Sequence, residues 1–108
     1  MNTDYKFGEV HRLAEQVEAS SERVQFRNIF STENGGIALL AFKEGQNLDT
    51  HLAPAEVMVT VLEGEIDFTM LEHTHTLREN EFLLMGAGVP HSVVAKKDSK
   101  VMLVKVKN

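Results

Sequence analysis

From about residue 24 onward, the sequence is a series of short apolar or alternating runs separated by turn signals. The runs predict strands at residues 24–30, 37–42, 57–62, 65–70, 75–77, 82–85, 92–95 and 101–107. Tight turns are indicated at Asn34-Gly35-Gly36 and at Glu63-Gly64. Because no crossover helix separates the runs, a parallel βαβ fold is excluded. We therefore predict an all-β fold, a sandwich or barrel of six to eight antiparallel strands.

Residues 1–24 are more polar and have a different pattern. Val10, Leu13, Ala14 and Val17 have helical spacing, which predicts a short amphipathic helix of two or three turns packed on the edge of the barrel. No repeat or linker interrupts the chain. We expect one domain over residues 1–108, with a helical or extended N-terminal segment at 1–24.

Composition narrows the classes of function. The chain has a net charge of -5, and no cluster of Lys and Arg stands apart from acidic residues. Both facts argue against nucleic-acid binding. The absence of cysteine excludes disulfides, thiolate nucleophiles and cysteine-ligated metals. No apolar run reaches the length of a signal peptide core or a membrane span, so we expect a cytoplasmic protein with no membrane partner.

Two predicted strands, 37–42 and 57–62, are apolar on both faces. A strand with one face in water should alternate apolar and polar residues instead. We predict that a second copy of the chain covers the outer face, in a homodimer that buries well above ~1,000 Å² in total. The alternative is that the N-terminal segment covers part of this face.

Two stretches resemble the paired motifs of small cupins. Gly45, His51 and Gly64 occupy motif positions in G-x5-H-x-H-x(3,4)-E-x6-G, within residues 45–64. Gly88 and His91 occupy positions in G-x5-P-x-G-x2-H-x3-N, within residues 80–95. The motif residues are similar to those of a subgroup of short cupins with H-x-A-P in the first motif. The resemblance implies a jelly-roll barrel, often dimeric, with a pocket inside its mouth.

In cupins with complete motifs, two histidines and a glutamate of the first motif and one histidine of the second hold a divalent metal. Here Ala53 and Val57 stand at the second histidine and the glutamate, so only His51 and His91 remain. A catalytic site normally needs about three protein ligands. Two imidazoles predict weak or no binding of nickel, zinc, iron or manganese. The two histidines equally fit a role as hydrogen-bonding pocket residues.

Glu56 is the first candidate for a third metal ligand, since it adjoins the vacant glutamate position. Neighbouring side chains of a strand point to opposite faces, so Glu56 should point away from the pocket unless a bulge turns it back. His73 and His75 are expected on a solvated strand edge and His11 on the surface. We assign none of these three histidines a ligand role.

The predicted pocket is lined by His51, Ala53, Val57, Val59, His91 and Val93. Its apolar character favours a small, partly apolar ligand with a carboxylate or carbonyl group. Binding of such a ligand without a catalytic metal is the first hypothesis. A metal-dependent oxygenase or isomerase with an unrecognised third ligand is the second, and metal-free acid–base catalysis by histidine is the third.

Overall fold

The computed structural model describes residues 1–107 of the 108-residue chain. Over this range it has one short 3-10 helix, η1 (Leu13–Gln16), and nine strands. The strands are β1 (Gln25–Thr32), β2 (Gly35–Phe42), β3 (Asn47–His51), β4 (Glu56–Glu63), β5 (Glu65–Met70), β6 (His73–Arg78), β7 (Phe82–Met85), β8 (His91–Ala95) and β9 (Ser99–Val106). β3 is missing from the sequence-based prediction because its residues are polar and mostly exposed.

The strands form two antiparallel sheets. The five-stranded sheet has the order β1-β2-β9-β4-β7, and the four-stranded sheet has the order β3-β8-β5-β6. This arrangement is a jelly roll, so the prediction of an all-β antiparallel fold is confirmed. Within residues 1–107, no helix has the length and apolarity needed to span a membrane.

The core lies between the inner faces of the two sheets. Along β4, alternate residues Val57, Val59 and Val61 are at most 4% exposed. Phe42 from the five-stranded sheet and Phe68 from the four-stranded sheet belong to the same buried cluster. Burying a side chain of this size contributes roughly 1.5–3 kcal/mol, so packing between the sheets holds the strands in place.

Gly64 forms the corner at which the chain passes from β4 in one sheet to β5 in the other. Its φ is +90°, a conformation that residues with a Cβ rarely adopt. A Cβ there would also overlap the carbonyl oxygen of Asp98 and the hydroxyl of Ser99. Ser99 Oγ accepts a hydrogen bond from the Glu65 N–H at 3.0 Å, which ties this corner to the start of β9.

The prediction of a two- or three-turn helix in residues 1–24 is wrong. The segment contains only the single turn η1, and Val10, predicted on the apolar helix face, is 98% exposed. Val17 is extended, with φ -142° and ψ 139°, and is buried. Around Val17 the chain is therefore extended, which presents alternate residues rather than every third or fourth residue to the sheet.

This segment covers part of the outer face of the five-stranded sheet. Val17 and Ala19 pack in one apolar cluster with Leu39 and Ala41 of β2. Both β2 residues are fully buried within the single chain. At these positions the N-terminal segment covers the outward side of β2, as in the alternative interpretation of its two-sided apolar pattern.

The rest of that outer face has no such cover. Phe82 and Leu84 of β7 are 59% and 67% exposed, and Val106 of β9 is 54% exposed. Half-buried Met58 and Val104 lie beside them in the strand register, with Met58 opposite both Leu84 and Val104. We call these five residues the outer patch.

Candidate functional site

A cavity of about 260 Å³ lies inside the barrel, between the two sheets. All six residues predicted for a pocket line it: His51, Ala53, Val57, Val59, His91 and Val93. Its interior wall includes the buried side chains of Phe42, Ile66 and Phe68. Exposed Leu52 lines it on the solvent side, so the cavity combines a closed apolar interior with an open mouth.

The register of two strands brings His51 and His91 together. His51 ends β3 and His91 begins β8, and the two residues are directly paired in the four-stranded sheet. Side chains of directly opposed residues lie on the same face. The ring centroids are 4.1 Å apart with 60° between the ring planes. Two imidazoles forty positions apart in sequence thus form one paired group at the cavity.

Backbone carbonyls determine which nitrogen of each ring is available. His51 Nδ1 lies 2.8 Å from the Asp49 carbonyl oxygen, and His91 Nδ1 lies 3.0 Å from the Val89 carbonyl oxygen. A carbonyl only accepts, so each neutral ring carries its proton on Nδ1 and donates it there. Each Nε2 then has a lone pair, which can accept a hydrogen bond from a hydroxyl or N–H group.

The two histidines have different surroundings. His91 is only 6% exposed and stacks on Phe68, with ring centroids 5.4 Å apart and planes 10° apart. Burial lowers the pKa of His91 below its ordinary value of 6.5; the hydrogen bond to Val89 opposes this, and the charges of His51 and Lys105 add to it. His91 is therefore neutral at neutral pH, whereas His51 is exposed at the mouth.

The donor set does not fit a catalytic divalent metal. Ala53 and Val57, at the two vacant ligand positions, both line the cavity and offer no donor atom. Glu56 is exposed, lies opposite Val106 in the sheet register, and accepts a 3.3 Å hydrogen bond from the Ala87 N–H. In the described part of the chain, no three His, Asp or Glu side chains converge as a metal site would require.

The other histidines lie outside this site. His73 and His75 are exposed on β6, at the edge of the four-stranded sheet. The His11 ring packs edge-on against Tyr5 in the N-terminal segment, with centroids 4.9 Å apart. None of the three lines the cavity.

The sequence analysis did not predict the lysine that lines the cavity. Lys105 lines the cavity from β9, where Val101 and Leu103 point the same way. A lysine near the end of a strand is typical of a solvated surface residue, so the sequence did not mark Lys105 as a cavity residue. The period-two alternation of 101, 103 and 105 was the signal that could have located it.

The comparisons with known proteins agree with this geometry. The cupin domain family model matches residues 38–107. A conserved protein of unknown function from Streptococcus pyogenes is 26% identical over 100% of this chain and 96% of its own, with a TM-score of 0.89. A cupin superfamily protein from Desulfitobacterium hafniense is 18% identical over 98% and 97%, with a TM-score of 0.89.

An RmlC-like cupin protein from Desulfovibrio desulfuricans is 29% identical over 91% of this chain and 95% of its own, with a TM-score of 0.80. No functionally curated protein matches the sequence significantly. Membership of the H-x-A-P subgroup stays a prediction. The family model matches well over half of the chain, on the strands that carry both histidines, and the chain therefore belongs to the cupin family.

Proposed function

We propose that this cupin binds a small, partly apolar organic molecule in its barrel, without a fixed catalytic metal. One observation carries the proposal: a cavity of about 260 Å³ has apolar walls, a pair of imidazoles and no carboxylate among its lining residues. Ligand pockets are typically mostly apolar, with a few polar groups that fix orientation. The combination found here has that character.

The size and shape of the cavity limit the ligand. Pockets for drug-sized molecules typically measure about 300–1,000 Å³, so this cavity suits a smaller molecule. Phe42 and Phe68 offer flat apolar surface in the interior. The Nε2 lone pairs of His51 and His91 can accept hydrogen bonds from a hydroxyl or N–H group of the ligand.

The test combines metal analysis with a binding screen. The protein is purified without a histidine tag, its metals are measured by elemental analysis, and small amphipathic compounds are titrated while methyl resonances of Val57, Val59 and Val93 are followed by NMR. We expect far less than one metal per chain and saturable shifts of these methyl groups. One tightly held metal per chain would instead favour the oxygenase or isomerase hypothesis.

Two matched variants show where binding occurs. Ala53→Phe places a ring in the cavity and should abolish the saturable shifts. Ala87→Phe makes the same change at an exposed alanine that does not line the cavity and should preserve them. Equal binding by both variants would place the ligand elsewhere and contradict the proposal.

We also propose that two copies of the chain associate through the outer patch. The patch has no charged side chain among its five members and lies on the outer face of the five-stranded sheet. Thr60, beside it on β4, has a buried hydroxyl without a hydrogen-bond partner in the described residues. A two-fold dimer would place this self-complementary apolar surface against itself. Another part of the outer face, around Leu39 and Ala41, is already covered by Val17 and Ala19.

A further inference from the structure

Lys105 is an exposed residue that lines a cavity otherwise apolar except for two imidazoles. In the five-stranded sheet it lies between Gly36 of β2 and Val57 of β4. Directly opposed residues share a face, and Val57 points into the core. On the Gly36 side, β1 packs closely, since a Cβ at Gly36 would lie 2.5 Å from the Phe30 carbonyl oxygen. The sheet register therefore holds Lys105 on the cavity side.

The charge of Lys105 is not neutralised by the protein. No Asp or Glu lines the cavity, and no carboxylate of residues 1–107 forms an ion pair with Lys105. Other lysines are paired in this way: Lys43 lies 3.6 Å from Asp98, and Lys96 lies 3.7 Å from Asp67. An ammonium beside apolar walls with no counter-ion is a binding group for an anion.

The effect of this charge extends into the cavity. Lys105 is among the groups that lower the pKa of buried His91, so its field reaches the imidazole pair. The chain as a whole carries a net charge of -5, so attraction for anions is a local property of this site. Among the lining residues Lys105 supplies the ammonium for an entering anion, while Nε2 of neutral His91 offers a lone pair rather than a proton.

We propose that Lys105 makes the pocket selective for small apolar monocarboxylates. The ligand carboxylate lies at the Lys105 ammonium, and the aliphatic or aromatic body lies against Phe42 and Phe68. A hydroxyl or N–H substituent, where present, donates to Nε2 of His51 or His91. This inference rests on the proposed ligand-binding function, and it adds the chemical class of the ligand and the residue that selects it.

The test uses two pairs of probes that differ in charge but little in shape: benzoate with benzamide, and hexanoate with hexanamide. Binding is measured by NMR titration and calorimetry on the full chain. The natural protein should bind each carboxylate about tenfold or more tighter than its amide, as expected for a hydrogen bond to a charged group.

Variants separate Lys105 from general charge effects. Lys105→Met keeps most of the apolar stem and should weaken carboxylate binding about tenfold while leaving amide binding unchanged. Lys105→Arg should retain the preference for carboxylates. Lys107→Met changes the net charge equally but does not line the cavity, and it should behave as the natural protein. The NMR spectrum of each variant establishes that it is folded.

Each outcome decides between the two proposals. Equal binding of carboxylates and amides by the natural protein, or an unchanged preference in Lys105→Met, overturns the role of Lys105 and leaves a ligand-binding pocket standing. If no probe of either pair shifts the cavity methyl groups at saturating concentration, both proposals are contradicted. A preference lost equally in Lys107→Met would show long-range electrostatics and also overturn the role of Lys105.

Discussion

The inner and outer faces of the five-stranded sheet are both apolar, but they are buried by different means. On the inner face, Phe42 is fully buried against the other sheet of the same chain. On the outer face, Leu39 is equally buried, but by an extended N-terminal segment. Phe82, also on the outer face, is 59% exposed. Apolar composition alone therefore does not show what covers a strand, and the following predictions test that difference.

The largest effect is expected from truncating an inner-face phenylalanine. Phe42→Ala should lower the free energy of unfolding by about 3–5 kcal/mol, because it removes a fully buried ring and leaves a cavity. Phe82→Ala makes the same change on the outer patch. It should lower the free energy of unfolding much less at concentrations where the chain is monomeric. Urea unfolding measures both. Equal losses would show that the outer patch is covered within a single chain.

The inner face should also accept a rebuilt metal site. Ala53→His with Val57→Glu adds two donors at positions that line the cavity beside His51 and His91. We expect affinity for nickel, zinc, iron or manganese to rise by about two orders of magnitude or more. The buried glutamate should destabilise the metal-free protein. Metal titration by calorimetry gives the comparison with the natural chain.

The matched control places the same two changes at exposed positions, Ala87→His with Val94→Glu, and should gain no affinity. A natural protein that already binds one metal per chain with micromolar affinity would reveal a third ligand outside the set described above. A folded double variant at 53 and 57 that gains nothing would contradict the inward placement of those positions.

A smaller effect is expected when the outer patch is charged. Leu84→Glu should raise the dimer dissociation constant more than about tenfold, because two-fold symmetry places two carboxylates in one apolar interface. Leu71→Glu makes the same change at an equally exposed leucine in the β5–β6 turn and should leave association unchanged. Light scattering at micromolar concentration measures both. A natural protein that is monomeric there contradicts the dimer.

The smallest effect concerns pH. Burial lowers the pKa of His91 in the folded state, so the unfolded chain takes up a proton first as the pH falls. The stability contributed by neutral His91 is full above the unfolded pKa near 6.5 and is lost as the pH falls from there toward the lowered folded value. Unfolding free energies between about pH 8 and pH 5 should show this loss.

Two substitutions isolate the contribution of His91 to that profile. His91→Gln should flatten the dependence of stability on pH in this window. His73→Gln, at an exposed histidine on β6, should leave it unchanged. An unaltered profile in His91→Gln would assign the pH dependence to other groups.

The parts of the fold that alternation and turn chemistry specify were predictable. Strands β5 and β7 were predicted with the bounds observed, because each lies between clear turns. β3 was not predicted, since its polar residues are stabilised as a strand by pairing with β8 rather than by their own pattern. The conformation of residues 1–24 also depends on the sheet beneath them, and helical spacing there was misleading.

The candidate site likewise has one part that the sequence predicted and another that it did not. The two motifs predicted that His51 and His91 meet, and the register of β3 and β8 brings them together. Lys105 was missed because a lysine near the end of a strand is typical of a solvated surface, although alternation places it on the same face as Val101 and Leu103. That this face lines the cavity depends on the pairing of β9 with β2 and β4, which is not local in sequence. The burial of one imidazole and the exposure of the other likewise depend on tertiary packing around Phe68.

The position of β9 within the five-stranded sheet has a consequence for synthesis on the ribosome. β9 pairs with both β2 and β4, and these two strands do not pair with each other. Among the strands of this sheet, the one translated last is therefore the one that joins its two halves. Until it emerges, the nascent chain carries apolar strands with unpaired edges, which are prone to aggregate. In this order of synthesis the pairs β1–β2 and β4–β7 can form first, and β9 completes the sheet only after it has left the exit tunnel.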